Sequence, residues 1–176
     1  TTIGESIKSV LAQTYTDLEL IIVDDGSTDD SCSVIESIKD PRIKLYRLEQ
    51  NEHISHATNY GFQKVTGAYL ARIDSDDIWY PQKLEKQITF LKNNPEYKIC
   101  FAWIDLIDEY GNSINEQQKE LLGVFETTFQ GQSDCLHRFF FGGNCLSHPS
   151  VVMRTELMRE TGDFNLAYMQ SHDFDY

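Results

Sequence analysis

Ile3, Ile7, Val10 and Leu11 recur at a helical period, so the chain is expected to open with an amphipathic helix that ends near Gln13 and Thr14. Leu18-Glu-Leu-Ile-Ile-Val23 is nearly continuous in apolar character, which predicts a strand buried on both faces, as in a parallel sheet. Asp24-Asp-Gly-Ser-Thr-Asp-Asp30 then reads as a turn. Ser27 or Thr28 is placed to cap a helix whose core face is Val34, Ile35 and Ile38, and Asp40-Pro41 stops that helix. A short strand follows over 43–48. A helix over 53–65 would turn Ile54, Ala57, Gly61 and Val65 inward and end at Gly67. The third strand covers 69–73. Beyond Pro81, the residues Leu84, Ile88 and Leu91 trace the buried stripe of a helix closed by Asn93-Asn-Pro95. A strand over 97–104 and a hairpin turn at Asp108-Glu-Tyr-Gly-Asn112 depart from strict strand-helix alternation. A helix around Leu136, Phe139 and Phe140 breaks at Gly142-Gly143. A strand over 150–153 and a short helix over 155–161 with Gly162 at its end complete the pattern. Repeated strand-helix order predicts an α/β fold, a Rossmann-like three-layer α/β/α sandwich with a mostly parallel central sheet.

Two of these apolar runs empty into acids. The first ends at Asp24 and Asp25, and Ala68-Tyr-Leu-Ala-Arg-Ile-Asp-Ser-Asp-Asp77 ends in Asp74, Asp76 and Asp77. Three carboxylates within four residues repel one another. A divalent cation, a hard acid that prefers oxygen ligands, would offset the repulsion. Solvated surface charge or helix capping also accounts for an acidic triplet of this kind. The pairing of two acidic strand ends favours a ligand site, because open α/β sheets bind ligands at that edge.

The 176 residues suit one domain with a sizeable core. A net charge of −13, with 15 scattered Lys and Arg, argues against a nucleic-acid surface and leaves an anionic ligand in need of a bridging cation. Cys32, Cys100, Cys135 and Cys145 lack metal-finger spacing and are expected as reduced thiols. There is no apolar run of membrane-spanning length. Asp29 and Asp30 fit the start of a helix better than a ligand set. His148, ahead of a proline and an apolar strand, reads equally as a hydrogen-bonded structural histidine or a site residue. Trp79 and Tyr80 are read as aromatic packing.

Ser9-Val-Leu-Ala-Gln-Thr-Tyr15, then Leu20-Ile-Ile-Val-Asp-Asp-Gly-Ser-Thr-Asp-Asp-Ser31, then Gly67-Ala-Tyr-Leu-Ala-Arg-Ile-Asp-Ser-Asp-Asp77 closely resemble the family 2 glycosyltransferases of the GT-A fold. Ser147-His-Pro-Ser-Val-Val-Met-Arg154, Thr161-Gly-Asp-Phe-Asn165 and His172-Asp-Phe-Asp-Tyr176 continue the likeness. The resemblance implies an inverting transfer of a sugar from a nucleotide-diphosphate sugar, a UDP-sugar for preference, to an acceptor hydroxyl of a glycan or a lipid-linked acceptor. It implies a setting in surface polysaccharide or glycolipid synthesis, in the cytoplasm at the inner face of the cell membrane, with peripheral membrane association. By position, Asp24 and Asp25 would hold base and ribose, and Asp74-Ser-Asp76 matches the DxD motif of nucleotide binding. Asp76, with Asp77 second, would bind Mg²⁺ or Mn²⁺. Asp173 matches the late catalytic acid, and His148 is carried as an acceptor-side candidate.

Family members usually begin with an apolar strand that is not in this sequence, so residues 1–176 are expected as a single GT-A domain truncated at both ends, with a gap in the sheet. Ala57-Thr-Asn59 stands where the family often has Ala-Arg-Asn, and His172 where it commonly has Glu. The competing expectation is a catalytically silent nucleotide-sugar binding or scaffold domain. Receiver domains and aspartyl phosphatases also place acids at strand ends, but the motifs they require are not found.

Overall fold

The computed structural model describes residues 2–126, 128–129 and 132–167. Helix α1 (Thr2–Leu11) buries Ile7 and Val10, and its Glu5 and Lys8 lie at the ends that suit the helix dipole. Strand β1 (Leu20–Asp24) follows. Helix α2 (Ser31–Ser37) crosses over to β2 (Ile43–Arg47), which pairs with β1 in parallel, Leu20 opposite Ile43 through Asp24 opposite Arg47. Helix α3 (His53–Phe62) packs on β1 and leads to β3 (Tyr69–Ala71). Then come α4 (Lys83–Asn93), β4 (Ile99–Cys100), α5 (Lys119–Phe125), α6 (Gln132–Gly142), a 3-10 turn (His148–Ser150), β5 (Val152–Arg154) and α7 (Thr155–Thr161). Strands β3 and β4 flank β5, both antiparallel to it. The fold is thus α/β, with parallel pairing at β1 and β2 and antiparallel pairing around β5.

One core joins α1, α2 and α4 through Ile7, Val10, Ile35, Leu84, Ile88 and Leu91, and reaches Val152 of β5. A second gathers Phe62, Leu70, Val151, Met153, Met158 and Phe164. Buried Gln13 clamps α1 to the start of α4: its Nε2 donates to the carbonyl of Tyr80, and its Oε1 accepts from the Leu84 N–H. Between the two sheets lies a cavity of about 700 Å³. Its walls are Leu20 to Val23 of β1, Tyr69 to Ala71 of β3, Ile7 and Val10 of α1, and Ala57 and Gly61 of α3. Among the described residues no ladder joins β1 to β3.

Several boundaries differ from expectation for local reasons. Helix α2 starts at Ser31, not after Ser27 or Thr28, because the Ser27 N–H is taken by Asp24 Oδ1 while the Ser31 N–H is met by Asp29 Oδ1. Helix α3 ends at Phe62, and the N–H of Gly67 points instead at Glu19. The strand expected over 97–104 keeps a ladder only at Ile99 and Cys100, since the Ala102 N–H turns to the Ser150 hydroxyl. Helix α5 was not foreseen from the apolar pattern.

Candidate active site

The first acidic turn is built by its own hydrogen bonds. Asp24, the last residue of β1, is buried. Its Oδ1 accepts from the Ser27 N–H at 3.1 Å and its Oδ2 from the Cys32 thiol at 2.9 Å. Burial works to raise its pKa, and the bonds from Cys32 and Ser27 with the charge of Arg47 outweigh it, so the carboxyl lies below its ordinary value. Asp25 Oδ1 accepts from the Glu52 N–H at 2.7 Å, which fastens the turn to the start of α3. Gly26 makes this closure possible. It has φ +74, and a Cβ there would lie 2.9 Å from the backbone nitrogen of Asn51.

The second acidic turn follows β3. Ser6 Oγ of α1 donates to the carbonyl of Asp74 at 3.2 Å, and the Asp77 N–H donates to the same oxygen. The Asp74 carboxylate is gripped from the strand side by Arg72, whose Nε and Nη2 lie 3.3 and 3.2 Å from Oδ1. Asp76 is exposed. Asp77 is half-buried, and burial together with the charges of Asp74 and Asp76 pushes its pKa up, with Arg72 acting in the opposite direction.

Val23, Ala57, Thr58, Arg72, Asp74 and Ser75 all line the one cavity. Asp74 and Ser75 of the second turn thus line this space, and Val23, the residue before Asp24, lines it from β1, whereas Asp24, Asp25, Asp76 and Asp77 are not among its lining residues. Among the described residues no three His, Cys, Asp or Glu side chains converge as a preformed metal cage. The donor set still suits a hard cation that keeps water and substrate phosphates in its shell: two adjacent carboxylates, one exposed and one short of positive charge. His148 stands on the 3-10 turn with its ring against Phe164 and its nitrogens at Arg72. His172 and Asp173 lie outside the described residues.

Sequence reasoning missed Cys32 and Arg72. Nothing at the position of Cys32 signals its bond to Asp24, because the contact depends on how α2 lies across the end of β1. Arg72 did carry a signal, being the one charge inside the apolar run 68–73, where a buried guanidinium must find an anion.

The family profile described as glycosyl transferase family 2 matches residues 1–160. The chain belongs to glycosyltransferase family 2. A curated relative is the UDP-Glc:alpha-D-GlcNAc-diphosphoundecaprenol beta-1,3-glucosyltransferase WfaP of Escherichia coli, 30% identical over 99% of this chain and 62% of that protein. An uncharacterized glycosyltransferase of Haemophilus influenzae is 31% identical over 99% of the chain and 54% of its own length, so this family 2 chain spans a little over half of such relatives. Among solved structures, TarS of S. aureus in complex with UDP superposes with a TM-score of 0.73 at 19% identity, over 97% of this chain and 48% of that one. At these identities the likeness concerns the fold, which is the GT-A fold of family 2 glycosyltransferases.

Proposed function

We propose that this domain binds a nucleotide-diphosphate sugar, a UDP-sugar for preference, and transfers the sugar with inversion to a hydroxyl of a glycan or lipid-linked acceptor. The observation that carries the reading is that each of two strands, β1 and β3, runs into an acidic turn, Asp24 and Asp25 at the end of the first and Asp74, Asp76 and Asp77 after the second. Asp24 and Asp25 face the nucleoside, whose uracil N–H and ribose hydroxyls are donors that carboxylates accept. Asp74 and Asp76 take the rest of the nucleotide. Asp76 and Asp77 would hold Mg²⁺ or Mn²⁺, which when bound neutralises charge on the diphosphate leaving group. A mannosyltransferase from Pyrobaculum calidifontis, solved in complex with GDP-Man and Mn²⁺, shares the fold at a TM-score of 0.66, which supports a divalent cation as the partner of the nucleotide sugar.

In the transfer, Asp173 accepts the proton of the acceptor hydroxyl as that oxygen attacks the anomeric carbon. The new carbon–oxygen bond forms on one face while the bond to the diphosphate oxygen breaks on the other, and the diphosphate departs with the electron pair. WfaP, named for a diphosphoundecaprenol-linked acceptor, supports a lipid-linked acceptor here and a role in envelope polysaccharide synthesis. Such an acceptor places the work at the inner face of the cell membrane, reached peripherally. No helix among the described residues is long and apolar enough to cross a membrane.

The test separates an enzyme from a silent nucleotide-sugar binder. Asp173→Asn is expected to keep nucleotide binding and to lose transfer by about a hundredfold or more, the scale of a removed general base. Transfer at the wild-type rate in that variant would place the base elsewhere.

A further inference from the structure

Arg72 is bonded on two sides. Toward the acidic turn, Nε and Nη2 both lie on Asp74 Oδ1. On the other side, Nη1 meets the His148 ring, 2.6 Å from Nδ1 and 3.2 Å from Nε2. The Arg72 side chain is only 13% exposed, so losing a contact leaves its guanidinium short of partners.

The platform under His148 is stiff. Both the N–H and the hydroxyl of buried Ser150 donate to the carbonyl of Ser147, closing the 3-10 turn. The carbonyl of Ser150 accepts from Gln87 Nε2 of α4, and its hydroxyl accepts from the Ala102 N–H. The ring rests on Phe164, whose backbone N–H and carbonyl are both bonded to the Asn59 amide of α3. An imidazole nitrogen that faces a guanidinium accepts a hydrogen bond. The His148 ring therefore works as a fixed acceptor that aims Arg72, and Arg72 aims Asp74. With Oδ1 held by the fork, the Asp74 carboxylate is restrained, and Oδ2, which has no protein hydrogen bond among the described residues, is left for a ligand.

We propose that Arg72 is a positioning residue for Asp74 in donor binding and that His148 serves Arg72, in place of a contact to the acceptor. The proposal rests on the reading of Asp74 as a nucleotide-diphosphate ligand. It predicts that the three residues behave as one unit, with Arg72 acting through Asp74 and His148 acting through Arg72.

The experiment measures UDP affinity in the presence of Mn²⁺ by titration calorimetry on the whole chain. The variants are Arg72→Ala, Arg72→Gln, Asp74→Asn, the Arg72→Ala/Asp74→Asn pair, His148→Ala and His148→Gln, with the ligand-free Tm of each recorded. Arg72→Ala is expected to weaken UDP by about tenfold and Asp74→Asn by a similar factor, while the double variant is no weaker than Asp74→Asn alone. His148→Ala weakens UDP by about threefold, and His148→Gln, which keeps an acceptor, restores it. Arg72→Gln, which stays polar but loses the charge and the fork that spans Asp74 and His148, reads the same loss should the alanine variant not fold. A purely structural Arg72 would give losses that multiply in the double variant, and that outcome overturns the inference. So does His148→Ala if it raises the acceptor KM with UDP affinity intact. Wild-type protein that fails to bind UDP with Mn²⁺ overturns the functional reading and this inference together, whereas wild-type binding with Arg72→Ala unchanged overturns the inference alone.

Discussion

Asp77 sits half-buried beside Asp74 and Asp76, and burial with those two charges raises its pKa. A carboxyl raised in the fold holds its proton more tightly folded than unfolded. Its stabilising contribution is present below the unfolded value, about 4, and is lost as pH rises through the folded value. Ionised Asp77 therefore costs stability at neutral pH. Asp77→Asn is expected to raise the Tm of the ligand-free protein at neutral pH, with the gain shrinking on acidification, and to weaken stabilisation by Mn²⁺ with UDP. Melting curves across pH check this, and a lower Tm at neutral pH would contradict it. That these acids matter was legible in the sequence, because each group ends an apolar run. Of their partners only Arg72 carried a signal: the Cys32 thiol on Asp24 and the Glu52 N–H on Asp25 are contacts across 8 and 27 positions that depend on orientation as much as on order.

Lys83 opens α4 with its ammonium 4.1 Å from the centre of the Trp79 ring and without a hydrogen-bond partner among the described residues. Burial lowers its pKa from 10.5 to about 8. The unfolded chain binds the proton more tightly, so this burial costs stability below the folded value, and stability recovers as pH rises from about 8 towards 10.5. Lys83→Met is expected to stabilise at neutral pH by up to roughly 3 kcal/mol, less what the ring face returns to the ammonium. The gain should vanish in strongly alkaline buffer. Urea unfolding at two pH values measures it, and destabilisation at neutral pH would contradict it. The helices α1 and α4 were legible because each buries a regular apolar stripe, and α7 because Gly162 marks its end. The stripe Ile54, Ala57 and Gly61, expected inward on α3, lines the cavity and leaves Ile54 42% exposed, while the residues α3 buries are Ser55, Asn59 and Phe62, and Val65 lies beyond the helix end. Periodicity fixes which side of a helix is apolar without fixing what covers it. The run 97–104 is apolar enough for a strand, but where a ladder stops depends on its neighbours.

At the scale of the molecule, the cavity separates β1 from β3 with α1 on its wall. With a rise of about 3.3 Å, a strand spacing of about 4.8 Å and a layer about 10 Å thick, a strand residue fills roughly 160 Å³. Four or five such residues would fill the cavity, and a strand leading into α1 would complete a right-handed crossover to β1. An extended apolar segment of about five residues joined ahead of α1 is expected to raise Tm by about 5 °C or more. A charged segment of equal length should not, and equal shifts from both would contradict this filling of the sheet. Family and fold were legible because the acidic turns fall in a recognisable order. The antiparallel pairing about β5 was not, since it is set by contacts between residues about 50 to 85 positions apart. The central claim is that the two acidic turns make one site, with a cation tying a nucleotide's diphosphate to the second. Its most direct test is the melting temperature with UDP, with and without Mn²⁺, in wild-type protein and Asp76→Ala. The account predicts a rise in Tm that needs both UDP and Mn²⁺ and is absent in Asp76→Ala, whereas an equal rise in the presence of a chelator, or in Asp76→Ala, would contradict it.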